Sequence, residues 1–438
     1  MSSPLYKIFC CSYLNPLSDT RCEWIRVGAI VFKRTAKGYR IHAHGPQKDI
    51  LNQYIRKRSV EIISKPNLTL CPGFFDTHFH WVQDEVRLMP KENLLDWLQD
   101  YTWPYEAKFI DKKFSQKKAK DFAKELLQVG TLGGAVYASI HTHSVDHALK
   151  YFVGDYVVGN VLMTMNSPEY LIQSEREALK SIEKLSSKYG ERYAMTPRFA
   201  PTTSPEVMSA GSKVLANSES YIQTHLSETP AEIEYVLSIY REFKGFEKIK
   251  SYTDIYKKCG LLGKKTIMGH GIYLSPKELR MLGESSTKIA HCPTSNAPVK
   301  ELGLGSGLFD FKRAERYGVH WSLASDIGGG PFLSMFDVMR SFVAQNKKNK
   351  VSGATYIRAL YRATLAGAEL LGLSKNTGNF EIGKRGNFVV LETPKFKKGE
   401  SAESILKLLV NSNQKSRMGY QDLVAQTYFE SKLVFSKI

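Results

Sequence analysis

The sequence predicts an α/β protein: a (β/α)₈ barrel of the TIM type, with a small composite β domain built from both chain ends. Three observations carry that reading. Eight short apolar runs alternate with amphipathic stretches between residues 68 and 326, the pattern of βα units feeding a parallel sheet. Several of these runs end in histidine or aspartate, and barrels of this type place their chemistry at the C-terminal ends of strands. Short β-like segments flank the alternating region on both sides.

The elements follow in chain order. LYKIFCCSYL at 5–14 is broken by Lys7 and followed by no small-residue cleavage pattern, so it reads as a first strand and not as a leader. WIRVGAIVFKR at 24–34 and GYRIHAHG at 38–45 continue the β pattern. The eight apolar runs are 68–80, 133–140, 156–165, 192–200, 221–226, 265–271, 288–294 and 319–326. Helical stretches separate them; those at 205–218 and 275–284 open on Ser204 and Ser275, each followed by proline, a cap and a first helical residue. After Ala354 come two helical stretches, then β-like EIGKRGNFVVLE at 381–392 and LVFSKI at 433–438. The expected division is 1–69 and 373–438 for the two parts of the β domain, and 70–372 for the barrel.

Composition narrows the class. Of 438 residues, 42% are apolar and 24% charged, enough for a large core. No stretch approaches the ~18 apolar residues of a membrane helix. The six cysteines at 10, 11, 22, 71, 259 and 292 form no C-x-x-C pair. Scattered thiols point to a reducing compartment, hence the cytoplasm. The H-x-E…P-C-x-x-C signature of the cytidine-deaminase zinc fold is absent. Net charge is +18, but the lysines are spread, and the densest run, 108–120, lies in a helical pattern with Asp111. That reads as a solvated face, and no nucleic-acid partner is expected.

The first run ends in His78-Phe79-His80. Residues two apart on a strand share a face, with Cα atoms ~6.5 Å apart, so both imidazoles reach one metal ion inside the barrel mouth. The fifth run ends in Thr224-His225, the sixth in Gly269-His270 and the eighth in Ser325-Asp326, while the seventh carries His291. An H-x-H alone carries little, because His42-Ala43-His44 and His141-Thr142-His143 share the spacing. The first of these falls outside the barrel as a surface β pair, and the second lies beyond the second run. His291 suits a core histidine as well as a ligand. Arg198 suits a buried ion pair as well as a binding residue, and Glu228 suits a helix-start acid.

These segments resemble the guanine deaminases of the amidohydrolase superfamily over roughly residues 70 to 390. PGFFDTHFHWVQ resembles the family's first metal motif with its glutamine, and LLDWLQDYTWPYEAKF at 94–109 resembles the segment that follows it. TPRFAPTTS, QTHLSE, MGHGIYLS, AHCPTSN and SDIGGG come in the family's order. The resemblance implies one Zn²⁺ per chain, held by His78, His80, His225 and Asp326. It makes Glu228 the proton shuttle, with His270 polarising the attacked carbon and the water. It gives Gln83, Arg198 and Phe199 to the purine, and it implies conversion of guanine to xanthine and ammonia by a homodimer. Two-metal members carry a lysine on the fourth strand; Arg198 stands there, so one metal is expected. The chain departs from the pattern at Ser325 and at Asn387, and residues 1–67 show no specific match.

The chemistry agrees with the residue types. Guanine O6 and N7 are acceptors, matched by an arginine fork or a glutamine amide, and an arginine at O6 favours guanine over adenine. Phe199 offers a flat face for stacking. The competing readings are a hydrolase on the same scaffold acting on a pterin, a triazine or an oxidised guanine, and a catalytically silent binding scaffold. Retention of every metal-competent residue argues against silence.

Overall fold

A single residue, Gly73, hands the chain from one sheet to another. The structure, a computed structural model, describes residues 3–91, 94–393, 399–412 and 423–438. Strands β1 (Tyr6–Ser18), β2 (Arg21–Thr35), β3 (Gly38–Pro46) and β4 (Val60–Pro72) come before Gly73. The Gly73 amide still donates to Asn387 O at 3.1 Å, whereas the Phe74 amide donates to Gly130 O at 3.0 Å. The run at 68–80 is therefore not one barrel strand: its first five residues complete β4, and the barrel strand begins at Phe74. Hydropathy is blind to this break because both parts are buried.

The first sheet has seven strands in the order β15-β14-β13-β4-β1-β2-β3, with β13 (Phe388–Glu392), β14 (Val424–Phe429) and β15 (Lys432–Ser436) supplied by the C-terminal part of the chain. Aromatic packing joins the two chain ends. Phe388 stacks on Phe32 at 5.2 Å and on Tyr428 at 4.6 Å, and Phe9 meets all three edge-on. Each such buried ring contributes on the order of 2 kcal/mol. The residues 381–387 that read as strand form a turn leading into β13. Asn387 bridges there, donating to Thr377 Oγ1 and accepting from the Glu430 amide.

The second sheet holds eight strands: β5 (Phe74–His80), β6 (Thr131–Ala138), β7 (Asp155–Leu162), β8 (Ala194–Pro197), β9 (Tyr221–Leu226), β10 (Thr266–His270), β11 (Lys288–His291) and β12 (Trp321–Leu323). The registered neighbours run parallel. Hydrogen bonds from β12 and the residues just past it to β5 draw the ends of the sheet together: the Asp326 amide donates to His78 O at 2.8 Å, and Thr77 Oγ1 meets Ser322 Oγ at 2.7 Å. Every residue of β5 and β6 is buried, as expected of strands covered on both faces. The helices Pro205–Leu215 and Pro276–Ser285 start at the caps expected, with Ser204 and Ser275 accepting from the third backbone amide.

By compactness the chain divides into two units. One comprises Met1–Asp76, Lys124–Gly133 and Leu333–Ile438; the other comprises Thr77–Ala123 and Gly134–Phe332. All of the site residues discussed below fall in the second.

Candidate active site

The strand ends of the barrel turn their polar residues inward over a small volume. His78 and His80 leave β5 on the same face, His225 leaves β9, and Asp326 stands three residues beyond β12. His78 Nε2 is 3.3 Å and His80 Nε2 3.6 Å from Asp326 Oδ1. His80 Nε2 is 3.1 Å from His225 Nε2. Donors held by one ion in tetrahedral geometry at ~2.0–2.1 Å stand about 3.3 Å apart, which is the spacing found. These four side chains form one of two donor sets able to hold a cation among the described residues; the other replaces His80 and His225 with His270 and Cys292.

The chain is shaped to permit this convergence. A Cβ on Gly269 would stand 2.5 Å from His78 Cε1, so the sixth strand needs glycine where the His78 ring passes. Tyr137 on β6 packs 4.5 Å from both the His78 and His80 rings. His270 and Asp326 adopt φ of +69° and +51°, a left-handed backbone that costs on the order of 1 kcal/mol or more for a residue with a side chain.

Electrostatics suit a cation. Burial holds His78, His80 and His225 below the usual histidine range, the latter two far below it, so they present neutral imidazoles. Burial by itself raises Asp326, but the hydrogen bond with His78, and the neighbouring His270 and His80, hold it well below the carboxylate range. His270 Nδ1 lies 3.0 Å from Asn296 Oδ1. Its Nε2 finds no hydrogen-bond partner among the described residues and points between Glu228 Oε2 at 3.6 Å and Asp326 Oδ2 at 3.8 Å. A neutral-nitrogen and carboxylate donor set around an orphaned imidazole nitrogen fits a divalent ion.

A cleft with about 430 Å³ of free space opens beside these donors. Its lining includes Gln83, Arg198, Phe199, Glu228 and Glu232, with Leu94, Trp97, Leu98 and Leu304 as apolar walls. Arg198 and Phe199 lie just past β8, where the fourth apolar run had been read as continuing to residue 200. Arg198 does form a buried ion pair: Nη1 donates to both oxygens of Glu106 at 2.8 and 2.9 Å. Glu228 precedes the helix Pro230–Arg241, whose cap is Thr229 and whose capping box is completed by Glu232. Glu228 is therefore not the helix-start acid. It is buried, and burial and the Asp326 charge raise its pKa against the opposing pull of His270. Ser306 Oγ donates to its Oε1 at 2.7 Å.

His291 joins neither donor set. It packs against the Phe309 ring at 4.8 Å, and burial lowers it to about 3; it is a core histidine. His42 packs against Tyr54, and His44 lies 3.1 Å from Tyr13 OH, both on β3. His141 stands at the N-cap position of the helix Thr142–Tyr151, without a side-chain capping bond, and that helix contains His143. The sequence reading missed Glu106, Glu232, Asn296 and Ser306. Of these, only Asn296 stood in a quoted strand-end motif.

Comparison with known proteins places this arrangement. The amidohydrolase family matches the chain over residues 69–416. Guanine deaminase of Escherichia coli is 34% identical over 383 residues, covering 84% of this chain and 83% of that protein. Guanine deaminase of Rattus norvegicus is 35% identical over 334 residues, 72% and 70% of the two chains. Among solved structures, the E. coli guanine deaminase superposes with a TM-score of 0.87 at 28% identity, covering 99% of this chain and 100% of that one. Guanine deaminase from C. acetobutylicum, solved with guanine bound in its active site, superposes with a TM-score of 0.83 at 26% identity, over 98% and 100%.

Proposed function

The chain belongs to the amidohydrolase family, and we propose that its reaction is hydrolytic removal of the 2-amino group of guanine, giving xanthine and ammonia. The observation that carries this is the meeting, in one cleft, of a four-donor cation site, a buried carboxyl with a raised pKa, and an arginine and a glutamine amide. The guanine deaminases that it resembles over most of its length support the choice of purine.

His78, His80, His225 and Asp326 are the proposed ligands of one Zn²⁺; three neutral imidazoles and a carboxylate suit that ion. When bound, such an ion would supply an acidified water as nucleophile at neutral pH, and the Asp326 carboxylate would be the acceptor for a proton. Glu228, whose pKa burial raises, donates a proton to ring nitrogen N3 so that negative charge does not build there as C2 is attacked. Its carboxylate then takes the proton remaining on the added oxygen and passes it to the departing amine as C2 becomes a carbonyl, and the proton held by Asp326 restores Glu228. His270 turns its Nε2 towards the attacked carbon and stabilises the charge developing on the attacking oxygen. Arg198 and Gln83 donate to O6 and N7, and Phe199 covers one face of the ring.

The homodimer implied by the resemblance and the cytoplasmic location read from the scattered cysteines belong to the same proposal. Six free cysteines fit a reducing compartment. Among the described residues no helix is long and apolar enough to cross a membrane. Light scattering during gel filtration tests the dimer. The reaction is tested by metal analysis together with an ultraviolet assay of xanthine formation, run beside pterin and triazine substrates. Turnover of those rings without turnover of guanine overturns the reading.

A further inference from the structure

Glu106, on the helix Trp103–Ala107, is fully buried and belongs to neither of the two donor sets found among the described residues. Its Oε1 accepts from Gln83 Nε2 at 2.6 Å, and both its oxygens accept from Arg198 Nη1. A carboxylate has no hydrogen to give, so the end of the Gln83 amide that faces it is the NH₂ group. The other end is fixed independently. The Gly328 amide can only donate, and it faces Gln83 Oε1 at 3.4 Å. Gly328 comes this close because it lacks a side chain: a Cβ there would stand 2.7 Å from Gln83 O and 2.9 Å from Gln83 Cβ.

From this we infer that Glu106 is a positioning residue that sets purine specificity by locking the Gln83 amide and the Arg198 guanidinium as hydrogen-bond donors towards the substrate. The inference rests on the proposed guanine reaction. Arg198 has donors only. Gln83, which without Glu106 could turn over and present its oxygen, is held with one N–H spent on Glu106 and the second remaining. Both residues line the cleft. A site of fixed donors pairs with the acceptors O6 and N7 and meets an amino group at position 6 donor to donor. Such a mismatch leaves buried groups unpaired and discriminates more strongly than a gap in packing does.

Replacing the carboxylate by its isosteric amide, Glu106→Gln, removes the lock. Whichever way the new amide lies, its NH₂ meets a donor: at the Oε2 position it faces Arg198 Nη1, and at the Oε1 position it faces both Arg198 Nη1 and Gln83 Nε2. At least one of the two donors is then no longer held.

The test measures kcat/KM for guanine and for 2,6-diaminopurine, which keeps the 2-amino group but carries an amino group in place of O6. The parent enzyme prefers guanine. In Glu106→Gln the ratio of the two constants falls about tenfold or more, the loss on guanine lies mainly in KM, and metal content is unchanged. The ratio does not depend on how much of the variant folds. Gln83→Leu, which leaves the buried Arg198–Glu106 pair intact, lowers the ratio in the same direction. An unchanged ratio in either variant, with guanine still turned over, overturns the role of Glu106 alone. A parent enzyme that turns over neither purine overturns the reaction and this inference with it.

Discussion

His225 Nδ1 lies 2.5 Å from the carbonyl oxygen of Arg198. A carbonyl only accepts, so Nδ1 carries the proton and Nε2 is left with its lone pair. That Nε2 is the atom 3.1 Å from His80 Nε2. Arg198 thus serves two neighbours by two routes: its backbone orients a proposed metal ligand, and its side chain is held by Glu106.

The two routes separate under mutation. One equivalent of zinc is expected per chain, lost in His78→Ala and His225→Ala but retained in Arg198→Ala, which keeps the carbonyl. Metal analysis of the purified proteins decides it; two equivalents in the parent, or zinc retained without His78, would sink the assignment.

Arg198→Ala should lower kcat/KM for guanine by on the order of 2 kcal/mol or more, the loss of a charge-assisted hydrogen bond. It should also lower stability by about 3–5 kcal/mol, because Glu106 is left charged and buried. Adding Glu106→Gln should restore much of the stability without restoring guanine use. Denaturant unfolding and steady-state kinetics on the single and double variants check both halves. Stability that stays low in the double variant would contradict the ion-pair account.

Gly269→Ala places a methyl group where the His78 ring lies. Overpacking of this kind costs about 1–3 kcal/mol, and here the ring is the movable part. The expected result is weakened zinc retention under a competing chelator with only a small fall in melting temperature. Retention equal to the parent's would mean that the ring shifts without leaving the site.

A barrel fixes in advance where strand ends point, so period and order put His78, His80, His225, His270, His291 and Asp326 at one rim, and only the family resemblance chose four of them as ligands. His291 ends a strand as well, yet its ring turns to Phe309 and Trp321; strand position does not say which neighbours a ring will find. Glu106 was invisible for another reason. It sits on a short helix in an amphipathic stretch, and its partners are 23 and 92 residues away in the chain. Nothing in local period marks a carboxylate that is buried only by long-range pairing. The break at Gly73 was hidden likewise, since a switch of backbone partners leaves no trace in hydropathy.

Burial and the adjacent Glu228 carboxylate raise Glu232 to about 7, whereas an unfolded glutamate titrates near ~4.3. The folded protein therefore holds this proton more tightly than the unfolded chain does. The resulting stabilisation is complete below the unfolded value and is lost as pH rises through about 7. Glu232→Gln removes the titration while keeping an oxygen for the Glu228 and Thr229 amides, which the carboxylate accepts at 2.7 and 3.2 Å. The melting temperature of the variant should rise relative to the parent between about pH 5 and about pH 8. A difference constant across that range would show that Glu232 does not titrate there.

Glu228 separates binding from chemistry. Its carboxylate takes the Ser306 hydroxyl at 2.7 Å on one oxygen and faces His270 Nε2 at 3.6 Å with the other. The helix behind it is already capped by Thr229 and Glu232, so the helix end does not need its charge. Glu228→Gln keeps the shape and the acceptor for Ser306 but removes the transferable proton. Zinc should remain, because Glu228 belongs to neither donor set, and guanine should still bind through Arg198 and Gln83. Turnover should fall by at least the ~10²-fold typical of losing a general acid–base group. If Glu228 acted only through the helix dipole, the variant would lose ~0.3–1 kcal/mol of stability and turn over normally. Zinc content, guanine affinity and kcat measured on this one variant distinguish the two, and a near-normal kcat would refute the proton-transfer role.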